Sequence, residues 1–232
     1  YGHFLAEGSI NVLDFMGGSL KIIQLFATET WIASHQKELS GLVYESVSLQ
    51  EMEKISALKN PSEVLAVVEK PEYRLPDIIT IDNYVLALDD IKDPGNIGTI
   101  IRTADWFGIH DVVCSEETVD AYNPKVVQAT MGSLARVRIH YTSLPDYFAG
   151  KPEDLIILGT VLDGNDIRKA RKPGKGILLI GSEAHGISRE LYPYIDERIL
   201  IPASLGTGAE SLNAAVATAI ACYEFRRENN GQ

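Results

Sequence analysis

The sequence has 232 residues, 45% of them hydrophobic and 23% charged, with a formal net charge of −11. That balance excludes a low-complexity or fibrous chain, and no apolar run approaches the ~20 residues a membrane helix needs. The acidity argues against a broad nucleic-acid footprint, and it is spread along the chain, about −6 before residue 82 and about −5 after it.

The opening YGHFLAEGS lacks the basic start and apolar block of a signal peptide. Cys114 and Cys222 sit among apolar residues without ligand-like spacing, which reads as buried thiols in a reducing, cytoplasmic setting with no metal. From Gly8, GSINVLDFMGG predicts a helix with Ser9 as its cap and Gly17-Gly18 as its end. LKIIQLFAT and GLVYESV read as strands. SLQEMEKISAL reads as a helix in which Ser48 and Glu51 stand in capping-box positions, and EVLAVVEK reads as a further strand. Pro71 and Pro76 in PEYRLPD then break both periodicities, so residues 1–76 are expected to form a small α/β domain followed by a linker at 77–82.

Beyond it the pattern is regular. Strand-like runs lie at 84–91, 111–115, 135–141, 155–162, 176–181 and 198–203, several of them apolar without alternation, as strands covered on both faces are. Between them NIGTIIRTADWFG, NPKVVQATMG (Asn123 as cap, Pro124 at the first turn) and SRELYPY read as helical. The alternation predicts an α/β fold with a mostly parallel sheet and helices on both faces over residues 83–232. Ligands in such sheets lie beyond the carboxyl ends of the strands, which selects 90–98, 159–163, 181–186 and 201–213.

In the first of these loops Asn96 is placed to cap a helix, and Arg102, six residues on, is long enough to reach back beside it and grip an anion. In LLIGSEAHGIS, Gly181 permits close backbone approach after a buried strand, Glu183 stands at the tip, and His185 reads as a loop residue. Near the end, Gly206-Thr207-Gly208-Ala209-Glu210-Ser211 is one residue short of a dinucleotide fingerprint. The helix after it runs to about Glu228 and the sequence ends without the second strand that fingerprint requires, so a nicotinamide-dependent oxidoreductase is set aside. Ser211 is the expected cap of that last helix. Asn213 stands inside it, and the helix is apolar nearly all round, as one packed in a core or against a second subunit would be. The basic loop DIRKARKPGKG reads first as a solvated loop and second as a phosphate contact.

Taken in order, DPGNIGTIIRTADWFG, LLIGSEAHGIS and RILIPASLGTGAESLNAAVATAIACYE resemble the three motifs of the SpoU (TrmH-like) RNA ribose methyltransferases of the SPOUT class, from about residue 83 to the end. The front segment is similar to the RNA substrate-binding domain that precedes the catalytic domain in many members. The resemblance implies a C-terminal trefoil knot, a homodimer built partly by the last helix, and methylation of a ribose 2′-hydroxyl in tRNA or rRNA. It further implies S-adenosylmethionine held against Leu158, Gly159, Thr160, Gly181, Ile201 and Leu212, with Asn96, Arg102, Glu183, Ser211 and Asn213 as catalytic positions. Arg102 would clamp a substrate phosphate and stabilise a developing alkoxide, since a guanidinium with a pKa above ~12 is a costly base. The stretch between Pro202 and Ser211 is about two residues longer than usual for the family, and Ser62-Glu63 stands where many members have Gln-Gly. The alternative on the same scaffold is a catalytically idle RNA-binding or ribosome-assembly factor.

Overall fold

The computed structural model describes residues 2–204, 206 and 208–226. The front of the chain runs β1 (His3–Glu7), α1 (Ser9–Gly17), β2 (Ile22–Ala27), α2 (Glu29–Ser34), β3 (Tyr44–Ser46), α3 (Leu49–Ile55) and β4 (Val64–Glu69). It continues through β5 (Tyr84–Asp89), α4 (Pro94–Trp106), β6 (Asp111–Cys114), α5 (Pro124–Thr130), β7 (Arg138–Tyr141) and α6 (Leu144–Ala149). It ends with β8 (Ile157–Asp166), β9 (Gly176–Gly181), β10 (Glu197–Leu200) and α7 (Ala214–Arg226). These elements divide into two compact units, one built from the first 72 residues with Asp120–Arg136, the other from Tyr73–Val119 with the chain from Val137 onward.

The first unit holds a four-stranded sheet in the order β1-β4-β2-β3, antiparallel except for the β2–β3 pair. Phe15, Leu25, Trp31, Met52 and Leu65 fill its core. Local chemistry sets its helix ends. Ser48 and Glu51 form the expected capping box, the Glu51 N–H reaching Ser48 Oγ at 3.3 Å and the Ser48 N–H reaching Glu51 Oε2 at 2.8 Å. Ser9, expected to cap α1, does not: Gly8 holds that position, and Ser9 Oγ accepts the Trp31 indole N–H at 2.8 Å. Ser62 closes the start of β4, accepting the Gly8 N–H at 3.0 Å and donating to the Val64 carbonyl at 2.7 Å. Helix α5 carries the predicted Asn123 cap and Pro124 start, yet packs on β1 and α1. The buried Asn11 secures it by accepting the Gly132 N–H at 2.7 Å and donating to the Glu7 carbonyl at 3.1 Å.

The second unit is a six-stranded, wholly parallel sheet in the order β10-β8-β9-β5-β6-β7. Successive strand residues point to opposite faces, and both faces are buried. Val85, Ala87, Val113, Ile157, Ile177 and Leu179 share one cluster with Leu144 and Phe148 of α6 and with Leu191. On the other face α4 and α7 pack together, α7 against β9 and α4 against β6, with Phe225 of α7 beside Tyr84 of β5. The fold is therefore mixed α/β with a parallel sheet flanked by helices. SRELYPY is helical but forms a 3-10 turn at Arg189–Tyr194, in which Pro193 removes one backbone donor. Within the basic loop, Arg168, Lys172 and Lys175 are ion-paired with Asp166, Glu224 and Asp154, which leaves that loop much of its charge already matched.

At the amino end of the sheet, Asp111 of β6 accepts from Arg138 Nε at 2.8 Å and from His140 Nε2 at 2.9 Å. Burial by itself would raise this carboxyl, but the bonds from His140 and Arg138 outweigh it and hold it at about 2. A depressed carboxyl contributes stability above its unfolded value of 3.8 and loses it as pH falls through about 2. Acid unfolding should therefore show an Asp111→Asn variant losing about 2 kcal/mol less than the parent between pH 4 and 2. Parallel acid limbs for the two chains would refute this. Among the described residues no helix is long and apolar enough to cross a membrane, and no cluster of His, Cys, Asp and Glu could hold a metal ion.

Candidate active site

Three loops at the carboxyl side of the parallel sheet meet: the one after β5, the one after β9 and the one entering α7. Asp93, not Asn96, caps α4. Its carboxylate accepts the Asn96 N–H at 2.9 Å, and Pro94 follows at the first helical position, where its missing N–H is not needed. Asn96 is thus three residues into the helix with its carboxamide free for other partners. Its Nδ2 donates to Glu183 Oε1, and its Oδ1 accepts from Asn213 Nδ2 at 2.8 Å.

Asn213 corrects a second expected cap. Helix α7 begins at Ala214, and Asn213 Oδ1 accepts the N–H groups of Ala215 at 3.0 Å and Val216 at 3.2 Å. Ser211 lies exposed ahead of the helix. Asn213 is therefore cap and bridge at once, with its oxygen turned to the helix and its amide to Asn96. Glu183 Oε1 also accepts the Ala214 N–H at 3.4 Å, placing a carboxylate at the positive end of α7. The donor and acceptor roles are mutually determined: a flipped Asn96 would set its oxygen against Glu183 and its amide against that of Asn213.

Arg102 is not drawn into this chain. Six residues on from Asn96, it lies about 120° around the helix and about 9 Å along it. Its exposed guanidinium makes no hydrogen bond or ion pair among the described residues.

Beside Glu183 opens a cavity of about 580 Å³, within the range of small-molecule sites. Ile180, Ile199, Ile201 and Leu212 supply apolar wall. Asp163, Glu183 and Glu210 supply carboxylates, and no lysine or arginine is among its described lining residues. Of the positions expected to hold a cofactor, Thr160, Gly181, Ile201 and Leu212 line this cavity, as do Glu183 and Ser211. Leu158 and Gly159 do not: Leu158 is buried within the sheet, and the open side of Gly159 faces Ile195. Thr207 and the helix end at 227–228 lie outside the described residues. His185 lines the cavity too, in a loop that the carboxyl-end rule had selected. The sequence reading passed over Asp93, for which the Asp-Pro pair was the available signal. Nothing in the sequence signalled Tyr192, which lines the cavity while Arg198 lies 5.0 Å from its ring centroid and pairs with Asp163 at 3.2 Å.

Residues 83–223 match the model of the SpoU rRNA Methylase family. The chain is 33% identical to the 23S rRNA (guanosine(2553)-2′-O)-methyltransferase RlmP of Bacillus subtilis over 96% of its own length and 88% of the relative's. It is 32% identical to the 23S rRNA (uridine(2479)-2′-O)-methyltransferase of Streptomyces viridochromogenes, over 95% and 83%. The crystal structure of an AdoMet-bound rRNA methyltransferase from Sinorhizobium meliloti superposes with a TM-score of 0.85 at 30% identity, covering 97% of this chain and 87% of that one. The chain belongs to the SpoU rRNA methylase family.

Proposed function

We propose that this protein transfers a methyl group from S-adenosylmethionine to a ribose 2′-hydroxyl of RNA, with ribosomal RNA, the substrate named for its relatives, as the leading candidate and transfer RNA the other. The observation that carries the reading is the Asn96–Glu183–Asn213 chain at the rim of an acidic cavity. The cavity suits this cofactor: its carboxylates complement a sulfonium and an amino group, and its Ile and Leu walls suit an adenine. When bound, S-adenosylmethionine supplies an electrophilic methyl group.

The chain's own residues account for the rest. A ribose hydroxyl is a weak nucleophile, so it must be held in line and its developing negative charge stabilised. Glu183 fixes the Asn96 carboxamide, and Asn213 fixes it from the other side, giving a rigid rim on which the ribose is oriented. Ser211, exposed at the cavity wall, is placed to contact the ribose. Arg102 offers an uncommitted cation to the phosphate and the forming alkoxide. The RNA-binding domain expected at 1–76 is the first unit, which also takes in Asp120–Arg136, and the methyltransferase domain expected at 83–232 is the second, whose core already includes Ile78 and Ile81 from the expected 77–82 linker.

The enzyme works as a homodimer. The support is an exposed apolar strip on α4 and α7, where Trp106 is 84% and Tyr223 56% exposed, continuous with a groove lined by Thr99, Val216 and Ile220. A trefoil knot in the C-terminal segments is part of the same reading. It is supported by the return of α7 from the β10 edge to β9, α4 and the turn at Ile167–Lys169.

The test is incubation of the purified chain with methyl-labelled S-adenosylmethionine and rRNA lacking its modifications, followed by alkaline hydrolysis. A 2′-O-methyl group blocks cleavage at its own phosphodiester, so the label should appear in one alkali-resistant dinucleotide. Label found only in mononucleotides, or none at all, would refute the function.

A further inference from the structure

Asp89 is buried, at 4% exposed, and no step above uses its carboxylate. Asp89 is the last residue of β5, and the sheet register pairs it with Gly181, the last residue of β9. Its Oδ2 accepts the backbone N–H of Ser188 at 2.6 Å. Ser188 marks the returning end of the loop that Gly181 begins and that carries Glu183.

That loop has little freedom of its own. The Ser182 N–H reaches the Gly186 carbonyl at 3.1 Å, and the Gly186 N–H reaches the Ser182 carbonyl at 2.9 Å. Ile187 is buried, and the backbone of Gly186 and Ile187 sits against Gly181 with no room for a Cβ. The turn therefore moves as one piece, and Asp89 fastens its far end. From the same strand end the chain runs four residues to the Asp93 cap and seven to Asn96. One residue thus governs both partners of the Asn96–Glu183 contact, reaching Asn96 through the chain and Glu183 through Ser188. A packing role alone would not put a charged group here, because burying a carboxylate is costly unless its bonds are needed.

The geometry points to Asp89 as a positioning residue: it holds the Glu183 turn in register with Asn96 without lining the cavity. The catalytic consequence rests on the methyltransferase reading; the tether itself does not.

Two measurements on the full chain separate them. Removing the acceptor with Asp89→Ala should speed exchange of the Ser188 amide at least about tenfold, because the bond that protects it is gone. The same variant should lower kcat by about 30-fold with little change in KM for S-adenosylmethionine, as a small displacement of an orienting group does. Asp89→Asn, whose oxygen still accepts, should recover most of both losses. In a Glu183→Gln background Asp89→Ala should cost less than about threefold more, since both act through one contact. Ser188→Pro removes the donor instead, at a φ of −60° that proline adopts, and should reproduce the loss in kcat even if Asp89→Ala folds poorly. Unchanged Ser188 exchange, or losses that multiply across the double variant, would overturn the proposal. A parent chain that moves no methyl group to RNA would overturn the functional reading instead, and exchange at Ser188 would then decide the tether on its own.

Discussion

Replacing Arg102 by alanine is expected to lower kcat by about three orders of magnitude while leaving melting temperature and S-adenosylmethionine affinity nearly unchanged. The separation follows from where the side chain stands. Arg102 lies on the exposed side of α4 and makes no bond among the described residues, so truncation leaves no buried group unpaired. It is absent from the cavity wall, so the cofactor loses no contact. What remains is its charge. In the role proposed for it, beside a phosphate and a forming alkoxide, it acts as charge develops, so its loss falls on turnover, at about 4 kcal/mol of barrier. Arg102→Lys should recover part of the rate, since a point charge replaces a planar fork. Calorimetry with the cofactor and single-turnover rates on RNA measure the two halves. Turnover within threefold of the parent would remove Arg102 from the mechanism.

Gly181→Ala should show the opposite profile, with stability, cofactor binding and turnover failing together. A Cβ built at Gly181 meets the Gly186 carbonyl carbon at 2.2 Å and the Ile187 nitrogen at 2.3 Å. Those are backbone atoms and no rotamer relieves them, so the whole 182–186 turn must shift and carry Glu183 with it. Overpacking of this kind costs about 3 kcal/mol, and a displacement of about 1 Å at Glu183 costs roughly a further hundredfold in rate. Gly174→Ala is the matched control, because a Cβ there meets nothing within 4 Å. Thermal melts and cofactor titration of the two variants decide it. A Gly181→Ala chain that melts with the parent and binds the cofactor equally would show that the turn gives way freely.

The rhythm of the second unit was legible because buried parallel strands are short, apolar and unalternating, and Gly176–Gly181 could be read almost to the residue. The capping box at Ser48 and the cap at Asn123 were legible for a similar reason, each having a single candidate at the right spacing. Where two candidates stand within three residues, the reading failed. Asp93 displaced Asn96, Asn213 displaced Ser211 and Gly8 displaced Ser9, because the choice depends on which side chain has a competing partner elsewhere. Asn96 is drawn to Glu183, and Ser9 to Trp31. Those partners are distant in sequence and become neighbours only through strand order, which local periodicity does not encode. Helix α6, only six residues long, left too little pattern to detect. The place of α5 in the first unit was hidden because its contacts are with Asn11 and β1, more than a hundred residues earlier.

The interleaving of the two units also bears on the order in which the chain can mature. Synthesis through residue 119 yields the four strands of the first sheet but not α5, which packs on one of them. The second sheet begins with β5, yet its neighbours there are β6, made soon after, and β9, about ninety residues later. Neither core can close while the nascent chain is half made, and pairings of such long separation form slowly. The growing polypeptide therefore carries open strand edges for much of its time on the ribosome, and both units reach their final state only after most of the sequence has emerged.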